Sequence, residues 1–227
     1  MEITPIAYYR CPLEGKFGLP RQSGIALSLE GRIVFEPAFR NPDALRGMDG
    51  FSHLWLIWEF SEAVRDGESF RPTVRPPRLG GNERMGVFAT RSPFRPNPLG
   101  LSCVRILGIE ATPEEGTVIR VSGADLMDGT PIYDIKPYIP YADSFPEAKE
   151  GFTSRKWETL EVVFPDAPAS IFSSGDISAI TEILSQDPRP RYHDDPERTY
   201  GIIYKGYDVK FRVKDGTVEV TGISKIQ

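Results

Sequence analysis

The chain has 227 residues, 40% of them hydrophobic, and a formal net charge of -5, so it can bury a sizeable core but is poorly suited to bind nucleic acid with its whole surface. The only cysteines, Cys11 and Cys103, lie far apart without CxxC spacing, which suggests neither a disulfide framework nor a thiolate zinc site. The N-terminus lacks a basic start followed by an apolar run, so a cytoplasmic protein is expected.

Short runs of β-branched and aromatic residues alternate with prolines and glycines along most of the chain, which contains 21 of each. This pattern is typical of a mainly β domain. Between the first strands, residues 41–47 predict a short helix that is capped by Asn41 and stopped by Gly47. The predicted strands comprise residues 3–9, 31–35, 53–59, 85–89, 102–110, 117–122, 131–137 and 159–164.

The spacing of these strands favours a β-barrel or a sandwich over a doubly wound sheet. No GxGxxG motif follows a strand and opens a helix, so a Rossmann cofactor site is not expected. Any nucleotide cofactor would therefore be held by loops.

The pattern changes after residue 164, where prolines interrupt the last of these strands. Residues 171–186 predict a helix with Asp176 as its N-terminal cap, and three strands follow at residues 199–204, 207–213 and 217–223. We therefore predict two domains. Residues 1–165 form a β-barrel domain, and residues 166–227 form a small α+β C-terminal domain.

Arginines are concentrated between residues 65 and 95, a stretch that contains seven of them, no lysine and only three acidic residues. Guanidinium groups suit bidentate recognition of phosphate or carboxylate. An ordinary surface on which arginines pair with acidic neighbours is the alternative.

The most informative loop comprises residues 91–102 and contains three prolines, two arginines and an asparagine. Proline fixes its own backbone and restricts the preceding residue, so the polar groups of such a loop are held in place before a ligand arrives. A rigid connection between two strands is the alternative. The loops at residues 17–24 and 76–82 have a similar character, but each is equally compatible with a plain turn.

Two carboxylates, Asp125 and Asp128, lie in one turn-rich loop between predicted strands and are our candidate catalytic residues. Either carboxylate would accept a proton or hydrogen bonds from an ammonium group or ribose hydroxyls. A hairpin turn at Asp128 is an even alternative. No metal site is expected, because His53 and His193 are the only histidines and no metalloenzyme motif accompanies them.

Four segments together resemble the TrmO family of tRNA methyltransferases: FSHLWLI at residues 51–57, VRPPRLGG at 74–81, GVFATRSPFRPNPLGLS at 86–102 and DGTPIYDIKPY at 128–138. The resemblance spans most of residues 1–145, and DPRP at 187–190 with GYDV at 206–209 resembles the family's C-terminal extension. It implies a homodimeric β-barrel enzyme. It also implies that S-adenosyl-L-methionine is the cofactor and that N6-threonylcarbamoyladenosine beside the anticodon of threonine tRNAs is methylated on N6.

The resemblance also implies which residues bind. The cofactor-binding candidates are Arg21, Gln22, Ser23, Ser61, Glu62, Arg91, Leu101, Ser122, Gly123, Ala124 and Asp125. The RNA-binding candidates are Arg75, Arg78 and Arg95. Family members read Phe-His after the tryptophan-containing strand, whereas this chain has Phe60-Ser61-Glu62, which departs from the family pattern at that contact.

Two functions of other classes use the same features. One is a β-barrel RNA-binding protein without catalysis, which would need the arginine-rich loops alone. The other is a sensor that binds an adenine nucleotide. Binding of S-adenosylmethionine distinguishes the first from an enzyme, and transfer of a methyl group distinguishes the second.

Overall fold

A computed structural model describes residues 2–62, 70–154, 158–164, 170–189 and 195–226, and within these it does not describe the side chain of Arg78. The described chain is mainly β, as the sequence predicts. No described helix has the length and apolar character needed to cross a membrane. Arg65 and His193, considered above, lie outside the described residues.

Six strands form a closed sheet: β1 (Ala7–Arg10), β2 (Glu30–Phe35), β3 (His53–Glu59), β6 (Leu99–Thr112), β7 (Gly116–Ser122) and β8 (Pro131–Pro137). Each strand is hydrogen-bonded to two neighbours in the order β1-β2-β7-β6-β3-β8, and β8 pairs again with β1. All of these pairs are antiparallel.

Alternating burial explains how these residues form the closed sheet. Along β3, Leu54, Leu56 and Trp58 are buried, and the residues between them are half-buried, because successive side chains of a strand point to opposite faces. The inward side chains of all six strands meet in one hydrophobic cluster, the first core. Its fully buried members include Tyr9, Ile33, Leu54, Leu56, Ile119, Leu126 and Ile132.

The predicted strands at residues 53–59 and 131–137 match β3 and β8 exactly. The strand predicted at residues 85–89 is wrong in its second half, because β5 (Met85–Gly86) pairs only with β4 (Thr73–Val74) and then turns into a 3-10 helix at Val87–Ala89. Further 3-10 helices lie at Pro37–Phe39, Pro42–Leu45, Met48–Gly50, Pro77–Leu79 and Gly151–Ser154, and a one-turn helix, α1, lies at Pro140–Asp143. As predicted, Asn41 caps the 3-10 helix that starts at Pro42 by accepting a hydrogen bond from the Asp43 amide.

Four later strands form a second sheet: β9 (Glu161–Val163), β10 (Tyr200–Tyr204), β11 (Tyr207–Lys214) and β12 (Thr217–Lys225). Their order in the sheet is β10-β11-β12-β9, and helix α2 (Ser174–Ser185) packs on it. β9 precedes the domain boundary predicted at residue 165, and that boundary stays a prediction.

Helix α2 begins one turn away from its predicted cap. Ser173 is the N-cap, and Asp176 occupies the third helical position, where its carboxylate accepts a hydrogen bond from the Ser173 amide. The two residues form a capping box, so the prediction of Asp176 as the cap was wrong by three residues. Asp176 also accepts hydrogen bonds from Tyr204 and Lys205, which joins the start of the helix to β10 and to the turn after it.

A second hydrophobic cluster, the second core, lies between α2 and the second sheet. Three of its buried members come from early in the chain: Leu13, Ala26 and Leu29. Residues 11–29 therefore pack with the C-terminal part of the protein, although they connect two strands of the closed sheet.

Candidate functional site

The predicted Asp125 loop starts where β7 ends. Gly123 has a left-handed backbone conformation, with φ of 76°, which bends the chain away from the sheet. Its amide donates to the Leu29 carbonyl over 3.1 Å, and its carbonyl accepts from the Gly24 amide over 2.8 Å. Residues 24–29 are therefore fixed beside the loop that carries Asp125.

The Asp125 carboxylate lies in a small hydrogen-bond network. Ser102 Oγ donates to Asp125 Oδ1 over 2.5 Å, and Trp58 Nε1 donates to Ser102 Oγ over 2.9 Å. Burial raises the pKa of Asp125, against the opposing effects of the Ser102 hydrogen bond, the positive charge of Arg91 and a backbone hydrogen bond from Ser23. The result is a carboxylate that is more basic than usual and that is oriented on one side by a buried hydroxyl.

Gln22 and Arg91 extend this network towards solvent. Arg91 Nη1 donates to Gln22 Oε1 over 2.5 Å, and the Arg91 guanidinium is exposed. The structure thus brings together four of the predicted site residues, Gln22, Ser23, Arg91 and Asp125, from three separate segments of the chain.

Residues 91–98, which precede β6 and are here called the proline-rich loop, are held in place by hydrogen bonds among nearby polar groups. Thr90 Oγ1 donates to the Val87 carbonyl, and Arg95 Nη1 donates to the Thr90 carbonyl over 2.8 Å. The Arg95 guanidinium also lies 5.9 Å from the centre of the exposed Phe88 ring. Arg95, predicted to bind RNA, therefore also braces the loop that carries it.

The second candidate carboxylate, Asp128, has different surroundings. Its Oδ1 accepts a hydrogen bond from the Cys11 amide over 3.0 Å, and its Oδ2 lies 3.6 Å from Arg10 Nη1. The Asp128 amide donates to the Leu13 carbonyl. These contacts tie the turn before β8 to the end of β1. The turn does not close a hairpin, because β7 and β8 are not neighbours in the sheet.

Several predicted cofactor residues have contacts with groups outside the Asp125 network. Arg21 Nη2 donates to the Asp187 carbonyl just beyond α2. Glu62 forms a 2.9 Å salt bridge with Lys16, and Ser61 beside it is exposed.

Along the closed sheet, the remaining candidates differ in exposure. Ser122 and Ala124 are buried, so their side chains face the protein interior. Leu101 is 56% exposed on the face of β6 opposite to Ser102.

The other arginine candidates lie around the short β4–β5 ribbon. Arg75 is exposed and has no hydrogen bond or ion pair with any described residue. The side chain of Arg78 lies outside the described part of the chain. Within the described residues, no group of three or more His, Cys, Asp or Glu side chains is arranged to hold a metal ion.

Ser102 and Trp58 are site residues that the sequence analysis did not identify. Gly100, Ser102 and Val104 occupy the inward positions of β6, so Ser102 is a polar side chain on an otherwise apolar face. A buried hydroxyl at such a position needs a hydrogen-bond partner, and this signal was available in the sequence.

Comparisons with known proteins cover nearly the whole chain. The family model of the tRNA-methyltransferase O N-terminal domain matches residues 8–144, and that of the TrmO C-terminal domain matches residues 159–226. The chain is 39% identical to the tRNA (adenine(37)-N6)-methyltransferase of Escherichia coli (strain K12), over 96% of each protein.

Two comparisons with Pseudomonas aeruginosa proteins agree. The chain is 39% identical to one named "Putative S-adenosylmethionine-dependent methyltransferase RcsF", over 91% of this chain and 90% of that protein. The crystal structure of TrmO from the same species superposes with a TM-score of 0.80 at 31% identity, over 99% of this chain and 98% of that chain.

Proposed function

This chain belongs to the tRNA-methyltransferase O family, and we propose that it is a methyltransferase acting on N6 of an adenine in tRNA. The reaction is the one stated in the name of its Escherichia coli relative, which it matches along almost its full length. The observation that carries the proposal is the partly buried Asp125 carboxylate at one end of the closed sheet, which accepts a hydrogen bond from Ser102 and lies near the positive charge of Arg91. Arg91 in turn donates to Gln22.

We further propose S-adenosyl-L-methionine as the cofactor and the closed sheet as the β-barrel domain that binds it. The donor set suits such a ligand. The Gln22 amide, the backbone at Ser23 and the Asp125 carboxylate can bind its amino acid and ribose groups. Leu27, which is 58% exposed beside Gly123, offers an apolar surface to an adenine ring. The bound cofactor would supply an electrophilic methyl group on its sulfonium sulfur.

Asp125 is proposed to accept the proton that N6 of the substrate loses. An N6 attached to a carbonyl group, as in N6-threonylcarbamoyladenosine, is a poor nucleophile until that proton leaves. Burial raises the pKa of Asp125 and makes it a stronger acceptor, while Ser102 orients one of its oxygens. Asp128, engaged with Cys11 and Arg10, is proposed to have a structural role instead.

The remaining parts of the proposal concern the partners. Arg75 and Arg78 follow β4, and Arg95 belongs to the proline-rich loop. These three arginines are proposed to contact phosphates of the anticodon loop. Threonine tRNAs that carry the threonylcarbamoyl group are the proposed substrates, a homodimer is the proposed assembly, and the tRNA substrate favours a cytoplasmic location.

Calorimetry with S-adenosylmethionine and transfer of its labelled methyl group to threonine tRNA test the proposal. We expect binding, and we expect transfer to tRNA with the threonylcarbamoyl group but not to tRNA without it. Binding without transfer to either tRNA would indicate a nucleotide sensor, and RNA binding without cofactor binding would indicate a non-catalytic RNA-binding protein.

The Arg91→Ala variant tests the site itself. It removes the hydrogen bond to Gln22 and a positive charge near Asp125, so we expect methyl transfer to be lost while the fold is retained. Arg46→Ala is the matched control, because Arg46 is an exposed arginine paired with Asp43 on a 3-10 helix. Full activity of Arg91→Ala would refute the role given to Arg91.

A further inference from the structure

Residues 17–29, here called the site loop, carry Gln22 and Ser23 but are anchored in the second core. Ala26 and Leu29 are buried in that core, and Phe17 and Leu19 pack against it. The loop also approaches β10 so closely that a Cβ atom on Gly18 would lie 2.6 Å from Ile202 Cγ2. The apolar contacts of the site loop are therefore made with the C-terminal part of the protein.

Helix α2 holds the site loop through hydrogen bonds as well. The Glu182 carboxylate accepts from the Ser28 amide and from Ser28 Oγ, each over 2.7 Å. Arg21 Nη2 donates to the Asp187 carbonyl, which follows the end of the helix. Charge-assisted pairs of this kind are stronger than neutral hydrogen bonds, so they hold the loop at two points, at the Ser28 amide and at the Arg21 side chain.

The polar side of the same loop faces the closed sheet. The Gly24 amide donates to the Gly123 carbonyl, Gln22 accepts from Arg91, and the backbone of Ser23 acts to lower the pKa of Asp125. The contacts with α2 and the contacts with the site are thus separated by only a few residues of one short segment. Displacement of the loop from α2 would move its polar groups away from Asp125.

We propose that the C-terminal domain positions the cofactor-binding side of the site loop, and that Glu182 is the positioning residue. This inference rests on the proposed function, since it takes the Asp125 network to be the cofactor site. It gives the second domain a role in cofactor affinity that is separate from any contact with RNA. Glu182 does not belong to the network and acts on it through Ser28.

The test uses the full chain and measures S-adenosylmethionine affinity, KM for cofactor, KM for tRNA and kcat. In Glu182→Ala we expect the cofactor Kd and KM to rise about tenfold, because two charge-assisted hydrogen bonds that order the site loop are lost. KM for tRNA and kcat at saturating cofactor should not change. Glu182→Gln keeps an acceptor oxygen for Ser28 and should recover part of the affinity.

Hydrogen exchange gives a readout besides activity, because the amides of residues 21–24 should exchange faster in Glu182→Ala. The matched control is Glu219→Gln, which changes an exposed glutamate on β12 and should behave as wild type. If Glu182→Ala does not fold, Ser28→Ala removes one of the two hydrogen bonds without altering the second domain.

Two results would overturn the inference when the wild type binds the cofactor. One is an unchanged cofactor Kd in both Glu182→Ala and Ser28→Ala. The other is a rise in KM for tRNA alone. A wild-type chain that does not bind S-adenosylmethionine would instead overturn the proposed function.

Discussion

Gly100→Ala should disrupt the support of Asp125 from inside the closed sheet. A Cβ atom at residue 100 would lie 2.2 Å from Trp58 Cε2, so the indole must move by more than about 1 Å to reach an ordinary contact distance. That movement breaks the 2.9 Å hydrogen bond from Trp58 to Ser102. Overpacking and the lost hydrogen bond together should lower the free energy of unfolding by about 2–4 kcal/mol.

Urea unfolding measures this effect, and Gly108→Ala is the matched control. Gly108 lies on the same strand, β6, and a Cβ atom there would meet nothing within 4 Å. We expect Gly108→Ala to remain within about 0.5 kcal/mol of wild type or to be more stable, because alanine restricts the unfolded chain. Equal urea midpoints for the two variants would show that Trp58 is not packed tightly against Gly100.

Two further predictions concern carboxylates. Ser102→Ala removes a hydrogen bond that lowers the pKa of Asp125, so we expect the pKa of Asp125 to rise further. The acidic limb of the pH dependence of methyl transfer should then move to higher pH. An unchanged pH profile would contradict the role of Asp125 as proton acceptor. For Asp176, burial raises the pKa, but hydrogen bonds from Lys205, Ser173 and Tyr204 outweigh it and the net pKa is lowered. Its carboxylate therefore stabilises the fold above its unfolded pKa, and this contribution is lost as the pH falls through the folded value. In urea unfolding, Asp176→Asn should have a lower free energy of unfolding than wild type near pH 7, and this difference in free energy should become smaller in acid. A difference that does not change with pH would contradict the stabilising role given to the Asp176 carboxylate.

The sequence predicts strands well where β-branched and aromatic residues are concentrated between clear boundaries. β3 and β8 are predicted to the residue because each is rich in such residues and its ends are marked by polar residues, prolines or turns. The strand predicted at residues 102–110 is too short, because β6 runs from Leu99 to Thr112. The loop predicted at residues 91–102 is correspondingly too long, since its last four residues belong to β6. The helix cap was misplaced because both Ser173 and Asp176 are good capping residues, and only the backbone geometry distinguishes them.

The site could be predicted only in part. Residues 22, 91 and 125 come from three distant segments. Their proximity follows from the antiparallel strand order β2-β7-β6, which brings the start of β2, the end of β7 and the start of β6 to one end of the closed sheet, and no local pattern encodes that order. The placement of residues 11–29 in the second core was missed for a similar reason. Leu13, Ala26 and Leu29 show neither helical nor strand periodicity, so the sequence does not indicate which core they join.

The partial burial of Asp125 makes its pKa sensitive to several segments of the chain. Moving a carboxylate out of water costs free energy unless hydrogen bonds replace its hydration. Here Ser102 on β6 donates a hydrogen bond, and both the Ser23 backbone in the site loop and the positive charge of Arg91 in the proline-rich loop favour the ionised form. Because these groups belong to different segments, the pKa of Asp125 depends on the closed sheet, the proline-rich loop and the site loop together. The pKa of one residue therefore depends on how several parts of the fold are assembled, which is why Gly100→Ala should change it through Trp58 and Ser102.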